Sequence, residues 1–382
     1  MAVSVAHRLG PVLCVVGARP NFMKMAPLLD AFANAPSSIP YRLVHTGQHY
    51  DVSMNEQHFR ALDLPHPAVC LEVGGGSHAV QTAEIMRRFE PVIAAEAPSA
   101  VLVVGDVNST LACALVAAKL GVPVIHVEAG LRSFDRRMPE EVNRVLTDQI
   151  AELLFTTEVA AGDNLVREGV DAAHVYFVGN VMIDSLHRCL PLAVPAADTL
   201  AESGRAPPPA YGLVTLHRPS NVDDPVVLAR LLDALVDCSD QLPLVWPLHP
   251  RTHAQLEAMN LMPQLDRPGL HVLPPVDYRR MLGLLRQARL VLTDSGGLQE
   301  ESTALGIPCF TLRENTERPV TVTEGTNTVV GTDTGAIRDG VAAVLADHGK
   351  RGRIPAGWDG RAATRIAEVL QRWLAARYRD VA

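Results

Sequence analysis

The chain has 382 residues, of which 48% are hydrophobic and 20% charged, and a formal net charge of -8. That length suits two domains, the apolar share suffices for a core, and the acidic balance argues against a general nucleic-acid-binding surface. An anionic small ligand stays compatible with it, provided the basic residues are gathered locally.

At the N-terminus, the apolar stretch within MAVSVAHRLGPVLCVVG is too short to span a membrane and lacks the basic start of a signal peptide. Six scattered cysteines without a C-x-x-C pair read as buried thiols of a reducing compartment. A cytoplasmic location is therefore expected, with no membrane and no nucleic-acid partner.

Val12–Val16 reads as a first strand, the residues Gly17-Ala-Arg-Pro20 as a turn, and Phe22–Ala33 as a helix. A helix start offers free backbone N–H groups to an anion, and Arg19 and Lys24 add positive charge there. The run Gly74-Gly-Gly-Ser-His78 has the wrong spacing for a dinucleotide fingerprint, and no P-loop is present. After a second strand at Arg42–His45, Val101–Val104 precedes Gly105-Asp106 and a helix through Lys119 that Gly121 ends. Val122–Val127 is the next strand, followed by Glu128. Asp106 and Glu128 thus close consecutive strands, where adjacent pairing would put both carboxylates on one floor. An acid ending an apolar strand needs a partner, and Arg132 is a candidate. Glu140 and Glu141 open a helix whose apolar positions Val142, Val145, Leu146, Ile150, Leu153 and Leu154 keep helical spacing.

The stretch 191–210, rich in proline and poor in large apolar residues, is the expected linker. This divides the chain into an N-terminal domain over 1–190, a second domain over 211–359 and a closing amphipathic helix over 360–382. In the second half, Leu213–Leu216 ends at His217-Arg218 and Pro243–Leu248 ends at His249. Leu290–Thr293 leads into Asp294-Ser-Gly-Gly297 and a helix over Leu298–Leu305, and Pro308–Leu312 is a further strand. Ser295 suits a helix N-cap, while Gly296 and Gly297 allow a diphosphate to approach the backbone closely. Glu301 lies one turn on, where a carboxylate could accept from ribose hydroxyls, and Arg318 adds a cation after the next strand. His249 and His253 have the spacing of a metal pair, but Pro250 separates them and no third ligand is evident, so no metal and no cofactor are expected. Apolar strands alternating with helices imply an α/β fold of two doubly wound, Rossmann-like domains, in which ligands bind beyond the carboxyl ends of the strands.

The segments GARPNFMK (17–24), TGQHYDVSM (46–54), VGDVNSTLA (104–112), HVEAGLRSFDRRMPEEVNR (126–144), VGNVMIDSL (178–186), LHRPSNVD (216–223) and TDSGGLQEESTALGIP (293–308), followed by TERP (316–319) and EGTN (324–327), resemble the non-hydrolysing UDP-N-acetylglucosamine 2-epimerases in order and spacing. The resemblance implies a glycosyltransferase-B arrangement with UDP in an interdomain cleft, a C-terminal helix returning toward the first domain, and a homodimer. By position, Asp106, Glu128, Glu140 and His217 fall on the family's catalytic residues. Arg19, Lys24, Arg218, His249, Ser295, Gly296, Gly297, Glu301 and Arg318 are expected at the UDP-sugar, with Glu301 on the ribose. The implied reaction is reversible C2 epimerisation of UDP-N-acetylglucosamine to UDP-N-acetylmannosamine, by elimination of UDP to 2-acetamidoglucal and re-addition. The sequence departs from the common bacterial pattern at Asn21, Tyr50, Pro219 and Val320, which leaves open a relative acting on a UDP-2,3-diacetamido uronic acid sugar. A hydrolysing epimerase, a glycosyltransferase of the same fold and a non-catalytic sugar-nucleotide-binding module are the other readings.

Overall fold

The structure, a computed structural model, describes residues 10–35, 38–47, 59, 62–202, 204 and 206–377, and of Arg19 only the backbone. Tyr50 and most of the segment 46–54 fall outside the described residues. The chain divides into two compact units, Met1–Ser185 with Ala356–Ala382, and Leu186–Pro355.

The first unit holds strands β1 (Val12–Val16), β2 (Tyr41–His45), β3 (Val69–Cys70), β4 (Ala100–Val104), β5 (Val124–Ala129), β6 (Leu153–Thr156) and β7 (Val175–Phe177). They form a seven-stranded sheet in the order β3-β2-β1-β4-β5-β6-β7. The second holds β8 (Gly212–Thr215), β9 (Leu244–Pro247), β10 (Leu270–Leu273), β11 (Leu290–Thr293), β12 (Cys309–Thr311) and β13 (Asn327–Val329). These pair as a six-stranded sheet, β10-β9-β8-β11-β12-β13. Every pairing described is parallel. Both sheets run outward from their first strand and then reverse, the doubly wound order. The reversal points lie between β1 and β4 and between β8 and β11.

The strand sequences follow from this architecture. A parallel sheet is covered on both faces, so strands such as VLCVV and AVLVV are apolar throughout and fully buried. Leu13, Ile85, Phe89, Val103 and Cys113 join one core cluster of the first unit. Leu231, Leu235, Trp246, Leu292, Phe310 and Ile337 belong to the core of the second. Among the described residues no helix is long and apolar enough to cross a membrane.

Five helices bear on the strand ends and on the expected linker: α1 (Arg19–Asn34), α2 (Asn108–Lys119) and α3 (Pro139–Ile150) in the first unit, α4 (Ala196–Glu202) and α5 (Gly296–Leu305) in the second. The proline-rich stretch expected as a bare linker instead contains α4, because Thr199 and Leu200 find cover. Helix α4 packs on the helix Tyr278–Gln287 of the same unit, and the Val194 N–H donates to the Arg279 carbonyl at 3.1 Å. All six cysteines are free thiols; five are buried, and Cys70, at the end of β3, is exposed.

Candidate active site

Helix N-termini show where the chain leaves backbone donors open. Asp224, Asp277 and Asp333 each cap their helices with a side-chain carboxylate. Helices α1, α2 and α5, which follow β1, β4 and β11 at the two reversal points, have no side-chain cap bond. At α2 and α5 no N-cap side chain takes up the first N–H groups. At α1 it is Asn21, inside the helix, that accepts from the N–H of the N-cap residue Ala18. All three starts lie at strand ends where ligands of such sheets bind. Ser295 does occupy the N-cap position of α5, but its hydroxyl makes no cap bond.

In the first unit, Glu128 is the central group. Its side chain is 1% exposed and pairs with Lys24, whose Nζ lies 2.7 Å from both carboxylate oxygens. Arg132, the partner expected from sequence, binds Asp148 at 2.7 Å and Glu168 at 2.6 Å instead. The backbone explains the difference. The pairing of β5 with β6 shifts register between Val127 and Ala129, and Glu128 itself has φ +73. A bulge re-aims the bulged side chain, and a left-handed glutamate is strained backbone held by its surroundings. Gly105, at φ +65, completes the arrangement: a Cβ there would lie 2.8 Å from Lys24 Nζ. Asn21, where the common pattern has Glu, accepts from the N–H groups of Gly17 and Ala18 at 3.1 Å each and donates to the Val104 carbonyl at 3.0 Å. The turn bearing Arg19 is thereby tied to the end of β4.

Asp106 follows β4 and does not cap α2. Its carboxylate receives Arg144 Nη2 at 2.5 Å, and its carbonyl receives Asn143 Nδ2 at 2.9 Å. Both partners lie on α3, one turn beyond Glu140. Glu141 turns inward to accept from the N–H groups of Ser133 and Phe134 at 2.9 Å each. Glu140 is half-buried in the first turn of α3, and among the described residues no hydrogen bond or ion pair is recorded for its carboxylate. Behind this floor His126 is fully buried, with Nδ1 2.6 Å from Asp148 and Nε2 2.8 Å from the Gly105 carbonyl.

In the second unit, His217 follows β8. Its Nδ1 is 2.9 Å from Asp294 Oδ1, and Asp294 is fully buried at the end of β11. The N–H groups of His217 and Arg218 each donate to Asp294 Oδ2 at 2.9 Å, and Asn221 Nδ2 donates to it at 3.2 Å. Burial works to raise the Asp294 pKa; the bond and charge of His217 with these N–H groups outweigh it and hold the carboxyl below its ordinary value. His249 lies beside His217, ring centres 5.4 Å apart. His253 pairs at the surface with Glu257 at 3.3 Å.

The remaining expected residues surround α5. Gly296 opens that helix, with the Glu317 carboxylate 3.2 Å from the position of a Cβ there. Glu317 is buried; desolvation would raise its pKa, but the guanidinium groups of Arg318, Arg313 and Arg218 overcome this and hold it at about 2. Arg313 lies 2.9 Å from it and Arg218 3.6 Å. Arg318 pairs with Glu300 at 2.7 Å, and Glu301 accepts from the Tyr278 hydroxyl at 2.9 Å. Asp294, Tyr278, Arg313, Glu317, Arg144 and Asp148 are not singled out as site residues by the sequence. An isolated acid between an apolar strand and a glycine pair is the one available signal, for Asp294.

The family profile described as UDP-N-acetylglucosamine 2-epimerase matches residues 32–371. The chain belongs to the UDP-N-acetylglucosamine 2-epimerase family. Within that family, it is 42% identical to the UDP-2,3-diacetamido-2,3-dideoxy-D-glucuronate 2-epimerase of Pseudomonas aeruginosa, over 94% of this chain and 99% of the relative. It is 38% identical to the UDP-N-acetylglucosamine 2-epimerase of Methanocaldococcus jannaschii, over 93% of this chain and 97% of the relative. The crystal structure of the Methanocaldococcus jannaschii UDP-GlcNAc 2-epimerase in complex with UDP-GlcNAc and UDP superimposes with a TM-score of 0.85, covering 95% of this chain and 99% of that one. Members of the epimerase family thus share this α/β fold along nearly the whole chain.

Proposed function

We propose that the chain is a non-hydrolysing epimerase that inverts C2 of a UDP-linked 2-acetamido sugar, interconverting UDP-N-acetylglucosamine and UDP-N-acetylmannosamine. The observation that carries this reading is the buried Lys24–Glu128 pair beside Asp106, carboxylates set at the ends of adjacent strands of one sheet. A hydrogen on C2 of such a sugar is too weakly acidic to be removed directly. Departure of UDP from C1 gives the ring oxocarbenium character and acidifies that hydrogen. Loss of the proton yields 2-acetamidoglucal and UDP; re-addition with protonation on the opposite face of C2 inverts the centre. Two faces need acid/base groups on both sides, which supports roles for Asp106, Glu128 and Glu140. Arg19 and Lys24 are assigned to substrate binding in the first unit. In the second, His217, Arg218, His249, Ser295, Gly296, Gly297 and Arg318 are assigned to the diphosphate, and Glu301 to the ribose. Holding UDP through the glucal stage separates an epimerase from a hydrolase.

The test is incubation with UDP-N-acetylglucosamine in deuterated water, read by proton NMR. Epimer formation with C2 deuterium supports the proposal; free N-acetylmannosamine or unlabelled sugar overturns it. The 42% identity to the diacetamido-glucuronate enzyme favours a second substrate, UDP-2,3-diacetamido-2,3-dideoxyglucuronate. Comparing kcat/KM for the two sugars decides between them. Five buried free thiols support a cytoplasmic location. A homodimer is the assembly proposed, checked by sedimentation equilibrium.

A further inference from the structure

His217 and His249 lie together but use their Nδ1 atoms in opposite senses. Asp294 is fully buried, collects N–H donors on Oδ2 and takes the backbone N–H of His217 on Oδ1 as well, at the longer 3.2 Å, so it is a carboxylate that only accepts. The His217 Nδ1 at 2.9 Å therefore carries a hydrogen. At His249, the backbone N–H of Arg251 donates to Nδ1 at 3.2 Å. That nitrogen accepts through its lone pair, which places the hydrogen of the ring on Nε2. Of the two adjacent rings, His217 turns an N–H toward a buried carboxylate.

Among the described residues, few charged groups are recorded beside His217. Asp294 lies against Nδ1, and Arg218 follows in the chain with its guanidinium turned toward Glu317 at 3.6 Å. The His217 side chain is 34% exposed and its Nδ1 is the nitrogen held by the aspartate, so Nε2 is the one left for a ligand. A neutral ring would present a lone pair to an incoming phosphate oxygen. A protonated ring presents a donor, with an anion on either side of it.

Resting on the assignment of UDP to this site, we infer that Asp294 is a positioning residue that makes His217 a cationic Nε2–H donor to the diphosphate, so that UDP binds with uptake of a proton. During the proposed elimination the C1–O electron pair passes to a β-phosphate oxygen. The imidazolium stabilises that oxygen by hydrogen bonding, without giving up its proton.

Asp294→Asn is the discriminating variant. The donors converging on Oδ2 fix the amide oxygen there, turning the NH2 toward His217 Nδ1. That selects the other neutral tautomer, as an amide does beside an imidazole in a hydrolase triad. UDP is titrated calorimetrically into the full chain between about pH 6 and 9, around the ordinary histidine range, in buffers of differing ionisation enthalpy. Wild type takes up more protons per UDP than Asp294→Asn and His217→Gln, which match each other, and combining the substitutions changes nothing further. UDP still binds to both variants, more weakly. Equal uptake by wild type and His217→Gln at every pH overturns the inference, and this variant covers the case in which Asp294→Asn does not fold. Nitrogen NMR of the free protein reads the tautomer directly: hydrogen on Nδ1 of His217 supports the dyad, and a bare Nδ1 overturns it. Failure of wild type to bind UDP would remove the functional proposal, whereas the tautomer readout still decides the dyad.

Discussion

Replacing Lys24 by Met isolates the ion pair on which Glu128 rests. The substitution keeps the length of the stem and removes only the ammonium. Both side chains are nearly inaccessible, 7% and 1% exposed, and Lys24 Nζ contacts both carboxylate oxygens at 2.7 Å. Solvent cannot replace the lost partner, so the carboxylate is left buried and uncompensated. Breaking such a pair from one side costs about 3–5 kcal/mol. Lys24→Met should therefore lose about that much stability in the first unit, and Glu128→Gln should lose a comparable amount by stranding the ammonium. The double variant, with neither charge, should be more stable than either single one. Urea unfolding followed by circular dichroism measures this, with the transitions of the two units fitted separately. If Lys24→Met loses less than about 1 kcal/mol, as exposed pairs do, or if the double variant loses the sum of the single losses, the pair is not coupled and the reasoning fails. The same proteins test the chemistry: Glu128→Gln should slow deuterium entry at C2 roughly 10²–10⁴-fold while UDP still binds.

Gly105→Ala should lower both stability and C2 exchange, because its φ of +65 disfavours a side chain and the new Cβ would crowd Lys24 Nζ; thermal unfolding and the NMR assay check it. Tyr278→Phe should weaken UDP binding about tenfold, roughly 1.4 kcal/mol, with the fold intact, as calorimetry would show. Glu317 has its pKa lowered from 4.5 to about 2, so the folded state prefers the carboxylate. Its contribution, of order 3 kcal/mol by the pKa difference, is present above pH 4.5 and is lost as pH falls from 4.5 toward 2. Glu317→Gln should therefore be less stable than wild type near neutrality, and the gap should close in acid; equal gaps at both ends would contradict the assignment.

The alternation of apolar runs with helices is legible because both sheets are parallel and covered, so each central strand is a short uninterrupted hydrophobic stretch. Strands β3 and β13 escape such a reading: with residues Val69–Cys70 and Asn327–Val329 they are too short to carry a pattern. The helical spacing read on through Leu153 and Leu154 overruns α3, which ends at Ile150, into β6, because a buried parallel strand is as apolar as a helix stripe. Asp106 and Glu128 stand out because an acid at the end of an apolar strand is conspicuous. Their partners do not. Nearness in sequence suggests Arg132 for Glu128, but the bulge at Glu128 points it toward Lys24, 104 residues away. Arg144 for Asp106 and Asp294 for His217 are likewise contacts created by strand order, which a linear reading cannot rank.

The last described helix, Ala362–Arg377, packs on α1, and its first N–H groups, those of Ala362 and Ala363, donate to Asp184 at 3.1 and 2.7 Å. The first unit is thus assembled from two separate stretches of the chain, with the second unit inserted between them. During synthesis the inserted unit has all its residues before the flanking one does. The lobe that emerges first must wait, with the bed for that helix uncovered, until the helix itself has been made.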